Sequence, residues 1–198
     1  MLFNSKKRIS LRTLGDEVLG KVADPILNVD AEIVKLAREM IEATAVFNGI
    51  GLAAPQYGVS KRMVVLDVPM DSMSKVPTPG EEQLLPRMPL VLINPEILSY
   101  STNKSVRDEG CLSVPDIYAP VERPEKVVLR SMTLDGELIE CECGGLLGRC
   151  IQHELDHLEG KCFTDRLAPE DAREVAGEIK RLIRYGEKHD FTRTKSVK

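Results

Sequence analysis

The sequence predicts an α+β fold, with mainly antiparallel sheets packed around one central helix. Three observations carry that reading. Strand-like stretches follow one another in runs instead of alternating with helices. One helical pattern comes early, over residues 30–47, and two come late. The first of the late pair, Cys150-Ile151-Gln152-His153-Glu154-Leu155-Asp156-His157-Leu158-Glu159-Gly160, is polar on one face and apolar on the other.

That stretch is the centre of the chemistry. At about 100° per residue, His153 and His157 lie about 40° apart on one face, one turn apart. Two imidazoles so placed can grip one divalent metal ion. Glu154 lies on the flank of the same face, within reach of a water beside the ion but poorly placed to ligate. Ile151, Leu155 and Leu158 form the opposite, core-facing side. H-E-x-x-H on a helix is a hydrolytic metal-site pattern with the Glu as general base. Only three histidines occur in 198 residues, so two of them flanking a Glu at this spacing is a specific signal.

Length and composition suit one domain over residues 1–198 with a sizeable aliphatic core, since tryptophan is absent. A net charge of -4 argues weakly against a body that binds nucleic acid, and no DNA partner is expected. No apolar run reaches membrane-spanning length. The basic start, Met1 to Leu14, lacks the apolar core of a signal peptide and reads as a plain arm. Five cysteines, an odd number, do not suit a secreted disulfide framework. A reducing, bacterial-type cytoplasm is expected in preference to an organelle.

The elements follow in order. Ile33, Leu36, Ala37, Met40 and Ile41 keep helical spacing, with Asp30 as N-cap and Gly49 as the stop. Gly49 to Gln56 is small and flexible, and its two glycines allow close backbone approach. Met63 to Val68 reads as a buried strand. Residues 69–89, rich in proline, read as a surface insertion. Leu90 to Leu98 resumes as strand, and Asp108 to Pro115 is a second motif-like stretch. Lys126 to Met132 and Glu137 to Glu142 form a hairpin about Asp135-Gly136. The last helix opens with Pro169, Glu170 and Asp171 and carries the stripe Ala172, Val175, Ala176, Ile179, Leu182 and Ile183. Gly186 can end it, and residues 187–198 read as a flexible tail.

A catalytic site expects a third protein ligand. His189 lies in the polar tail. Cys150 shares the histidine face but sits about 10 Å along the axis from His157, so it suits the pocket wall better. Cys141 and Cys143 face one way on a strand and can form their own thiol pair. Cys111 stands in a loop with no periodic reason to be core, modestly ahead of an Asp or Glu as the ligand.

At this point three separated stretches resemble the signature motifs of the peptide deformylase family: Gly49-Ile50-Gly51-Leu52-Ala53-Ala54-Pro55-Gln56, Glu109-Gly110-Cys111-Leu112-Ser113 and Gln152-His153-Glu154-Leu155-Asp156-His157. The resemblance runs from about Gly15 to Phe163. It implies Cys111, His153 and His157 as ligands of one divalent ion, typically Fe²⁺ and replaceable by Ni²⁺, Co²⁺ or Zn²⁺. It implies Glu154 as acid/base, and Gln56 with the backbone N–H of Leu112 as holders of the oxyanion. The implied reaction removes the N-formyl group from N-formylmethionyl peptides and releases formate.

An extended peptide is expected along Ile50, Gly51, Glu109 and Gly110, with Ile50, Leu146 and Cys150 walling the methionine pocket. Arg107 and Arg149 fall near positions that are apolar in some members. A metalloprotease and a non-catalytic metal-stabilised module are the competing classes. The former needs neither the Gln56 nor the Cys111 stretch. The segment from Ile179 to Lys198 carries seven cations against two acids, which reads either as a solvated helix face with a frayed tail or as a patch that meets ribosomal RNA.

Overall fold

The computed structural model describes residues 8–197. A five-stranded antiparallel sheet holds β2 (Gly51–Ala53), β3 (Met63–Leu66), β4 (Leu90–Tyr100), β7 (Val127–Thr133) and β8 (Leu138–Cys143) in the order β2-β3-β4-β7-β8. Helix α1 (Ala31–Phe47) covers one face and α3 (Gly145–Leu158) the other. Strand alternation explains the arrangement. Met63 and Val65 point into the cluster shared with α1, whereas Val64 and Leu66 point into the cluster shared with α3. A strand covered on both faces must be apolar throughout, and Met63 to Leu66 is.

The cap on α1 is the expected one. The Asp30 carboxylate accepts from the backbone N–H groups of Glu32 and Ile33 at 3.0 and 2.9 Å. Its end comes one residue before the expected glycine: Asn48 takes the left-handed conformation at φ 56°. On α3, Ile151 and Leu158 are fully buried and Leu155 nearly so. Each such side chain contributes roughly 1.5–3 kcal/mol.

Two stretches differ from expectation. Residues 69–89 do not merely decorate the surface. They contain α2 (Pro79–Leu84), which packs on β8 and puts Leu84 and Leu85 into the core. Thr78 caps α2 in a reciprocal box with Glu81, and Pro79 occupies the first turn. Residues 187–197, expected as tail, are also ordered into the fold. Helix α4 (Pro169–Lys188) runs past Gly186, the chain reverses through Asp190 and Phe191, and β9 (Thr192–Ser196) pairs antiparallel with β1 (Arg8–Arg12). The Phe191 ring lies against Gly186, where an added Cβ would stand 2.3 Å from it. A glycine there makes room for the turn instead of ending the helix.

Strands β5 (Lys104–Cys111) and β6 (Val114–Pro124) form a separate antiparallel ribbon. One side of β6, with Ile117, Ala119 and Val121, buries Phe163 and the α4 residues Val175, Ile179 and Leu182. The ribbon therefore sits between α4 and α3. Its tip delivers residue 111 to the polar face of α3.

Candidate metal centre and cleft

The pairing of β5 with β6 shifts between Gly110 and Cys111. That irregularity turns the Cys111 thiol toward α3. Cys111 Sγ and ring nitrogens of His153 and His157 all lie within 4.8 Å of one another. Sγ stands 3.2 Å from His157 Nε2. No other such group of three occurs among the described residues. His189 is elsewhere, its ring against Tyr185.

His153 Nδ1 lies 2.9 Å from Glu109 Oε2. Glu109 is buried, and burial would raise its carboxyl. Hydrogen bonds from His153 and Arg123 instead hold it down at about 2. As a carboxylate it accepts the Nδ1–H, which leaves Nε2 free for an ion. Burial also opposes charge on Cys111, yet His157 and His153 hold its thiol well below the ordinary value. Both imidazoles are correspondingly raised, His153 to about 9. A thiolate whose charge is balanced by imidazole protons is a site where a divalent cation can take the protons' place. The donor set fits such an ion.

Glu154 is buried on the flank of the pair, as the helical geometry requires. Its Oε2 has no hydrogen-bond partner. Burial pushes its carboxyl up to about 7, against the pull of His153 and His157. Gly51 permits this closeness: a Cβ there would lie 2.3 Å from Glu154 Oε1 and 2.8 Å from Cys150 Sγ. Gln56 is aimed by its own turn. Its Oε1 accepts from Ala53 N–H at 2.7 Å, so Nε2 faces Cys111 Sγ at 3.3 Å and Ser113 Oγ at 3.2 Å.

A cleft of about 440 Å³ opens over these groups. Ile50, Gly51, Gln56, Glu109, Gly110, Cys111, Leu112, Leu146, Cys150, His153 and Glu154 all line it. Cys150 is a wall residue and no member of the ligand group, and burial raises its thiol well above the ordinary value. His157 is fully buried beneath the cleft.

Glu109 lines the cleft, but its carboxylate is turned inward, taken up by Arg123 (2.7 and 2.9 Å), Arg149 (2.8 Å) and His153, so what it can offer an extended peptide is its backbone. Arg149 lines the cleft, and its guanidinium also donates to Val121 O and Ser105 O, so its charge is already engaged. Arg107 is exposed and does not line this cleft.

Sequence reasoning missed Arg123, Asp156, Ser113 and Arg193. Arg123 is buried and bridges Glu109 to Asp156, at 2.8 Å from the latter. Asp156 lies inside the H-E-x-x-H motif, and a buried acid there demands a cation from elsewhere. That was the available signal. Arg193 reaches the mouth of the cleft from β9.

Residues 9–173 match the polypeptide deformylase family model. Peptide deformylase 2 of Gloeobacter violaceus is 45% identical over 163 residues, covering 82% of this chain and 81% of the relative. A peptide deformylase of Rhizobium meliloti is 44% identical over 155 residues, covering 78% and 82%. Among solved structures, a mutant form of Arabidopsis thaliana peptide deformylase 1B superposes with a TM-score of 0.78 at 31% identity, covering 91% of this chain and 93% of that one. A thiol and two imidazoles around one point, an unpartnered carboxylate beside them and an aimed amide thus recur on a chain related to these enzymes over most of its length. This chain belongs to the peptide deformylase family, metal-dependent hydrolases that remove the N-formyl group from nascent peptides.

Proposed function

We propose that the chain acts as one catalytic domain in which Cys111, His153 and His157 hold a single divalent ion and Glu154 moves the proton. The ion, when bound, supplies Lewis-acid polarisation of the formyl group and of the attacking water. Fe²⁺ is the proposed native ion, with Ni²⁺, Co²⁺ or Zn²⁺ able to replace it. The substrate is an N-formylmethionyl peptide in a bacterial-type cytoplasm.

The residues divide the work. Glu154 takes a proton from the water and returns it to the leaving amine, a task suited to a carboxyl near 7. Gln56 Nε2 and the Leu112 amide receive the oxyanion that develops on the formyl oxygen. Ile50, Leu146 and Cys150 take the methionine side chain, and the backbone of Gly51 and Gly110 flanks the extended peptide. Glu109 keeps the His153 ring in orientation.

The observation that carries this reading is the buried, unpartnered Glu154 Oε2 beside the Cys111–His153–His157 group. Its test is formate release from a formyl-Met tripeptide by the metal-loaded protein, abolished by a chelator. Cleavage of unformylated internal peptide bonds instead would make it a metalloprotease. Within the same reading, Cys111→Ala loses metal and Cys150→Ala keeps it, as metal stoichiometry will tell.

Ribosome contact belongs to the exposed Lys180, Arg181 and Arg184 of α4. Neutralising these three should weaken co-sedimentation with ribosomes in a salt-sensitive way. Truncation after Gly186 is the wrong variant, because it removes β9 as well. No helix among the described residues is long and apolar enough to cross a membrane.

A further inference from the structure

We infer that Arg193 is a specificity-determining residue, which selects formyl-Met peptides carrying a carboxylate side chain just beyond the methionine. The inference rests on the deformylase reading and adds a substrate preference to it. Arg193 lies outside residues 9–173 matched by the family model, so it is contributed by this chain's own C-terminal segment.

Strand β9 pairs with β1 in a register that places Arg193 opposite Leu11. The guanidinium Cζ lies 5.6 Å from the centroid of the Phe47 ring, a stacking distance that holds it in place. Phe47 and Arg193 both line the catalytic cleft. Lys195 Nζ approaches the same ring at 5.1 Å, but Lys195 does not line the cleft. Among the described residues, no carboxylate forms an ion pair with Arg193, whereas Arg123 and Arg149 deeper in the site are fully engaged with acids. A half-buried, stacked guanidinium without an acid is a ready partner for a carboxylate of the ligand.

The other charges at the mouth sharpen the geometry. Asp108 and Asp116 line the cleft from the β5–β6 ribbon. The cleft lining therefore carries charges of both signs. A peptide side chain that comes to the Arg193 and Phe47 part of that lining gains a partner if it is acidic. A basic side chain there is repelled.

The test compares kcat/KM for formate release from formyl-Met tripeptides that differ only in an acidic, neutral or basic residue after methionine, each with an amidated C-terminus. The metal-loaded enzyme should favour the acidic peptide over the neutral one by about fivefold at low salt, the scale of one partly shielded ion pair. The preference should reside in KM and fade at high salt. Arg193→Gln should bring the acidic-to-neutral ratio close to one, Arg193→Glu should invert it and Arg193→Lys should keep part of it. An unchanged ratio in Arg193→Gln overturns the inference. Equal loss on all three peptides also overturns it, since that would mark Arg193 as a mere prop for Phe47. Formate release from none of the peptides by the unmodified enzyme overturns both readings together.

Discussion

Helices α3 and α4 are both amphipathic, and they live under opposite constraints. Every residue of α3 from Leu147 to Leu158 is buried, while Gly186 alone is buried on α4. On α3 each polar side chain must find a partner or cost energy. Gln152 donates to Pro124 O and Gly148 O, Asp156 takes Arg123 and Arg166, and His153 takes Glu109. Glu154 Oε2 is the exception, on a residue that lines the cleft. On α4 the charges stand in water and only a stripe of Val175, Ile179 and Leu182 is committed. A polar group left unsatisfied inside a helix that satisfies all its others marks where work is done. The same group on α4 would mark nothing.

The contrast can be broken at several strengths. Glu154→Gln should retain metal, since no ligand is lost, and reduce formate release by about 10²–10⁴-fold. Near-normal turnover by the metal-replete variant would remove Glu154 from its role. Arg123→Ala should cost on the order of 3–5 kcal/mol in denaturant unfolding, because two buried carboxylates lose a shared cation. A loss below about 1 kcal/mol would mean that water or Arg149 takes over.

Acid should act on the same network. Folded Glu109 sits at about 2, below the ordinary 4.5, so the unfolded chain binds more protons between those values. The stability from this group is complete above 4.5 and is lost as pH falls toward 2. It amounts to roughly 3 kcal/mol. Asp156 is shifted downward too, in spite of its burial, by Arg166 and Arg123. Glu109→Gln should flatten the acid limb of a stability–pH curve, and an unaltered limb would place the acid sensitivity elsewhere. At the weak end, Lys180, Arg181 and Arg184 changed together to Gln should move the unfolding midpoint by the equivalent of only about 0.5 kcal/mol. A large loss would show that α4 relies on charge and not on its stripe.

The same contrast explains what could be read from the residues alone. The i, i+4 histidines and the apolar back of α3 are local, and so is the stripe of α4. Both helices were therefore legible, with α1 and the β7–β8 hairpin. Partners brought by tertiary pairing were not: nothing near Arg123 in the chain announces Glu109 or Asp156. Two local signals were present and overlooked. Thr78-Pro79-Gly80-Glu81 is a capping box with proline in the first turn, hidden by the surrounding prolines. Ile117, Ala119 and Val121 alternate as a half-buried strand should, but Pro115, Pro120 and Pro124 break the expected pattern. Strand β9, polar along its length, gains its place from pairing with β1 and from laying Arg193 and Lys195 on the Phe47 ring.

That pairing has a consequence for the order of folding. Ser10 and Thr194 share a hydrogen bond across 184 positions of sequence. Closure entropy grows only slowly with loop length, so such a pair is cheap to keep once made. It is nevertheless expected to form late, because a search over so long a separation follows the local contacts of hairpins and helices. During synthesis β1 emerges first and waits unpaired for β9. The proposed ligands Cys111, His153 and His157 are all translated before β9. A growing chain of this protein can thus assemble its metal centre before the cleft acquires the cation at its mouth.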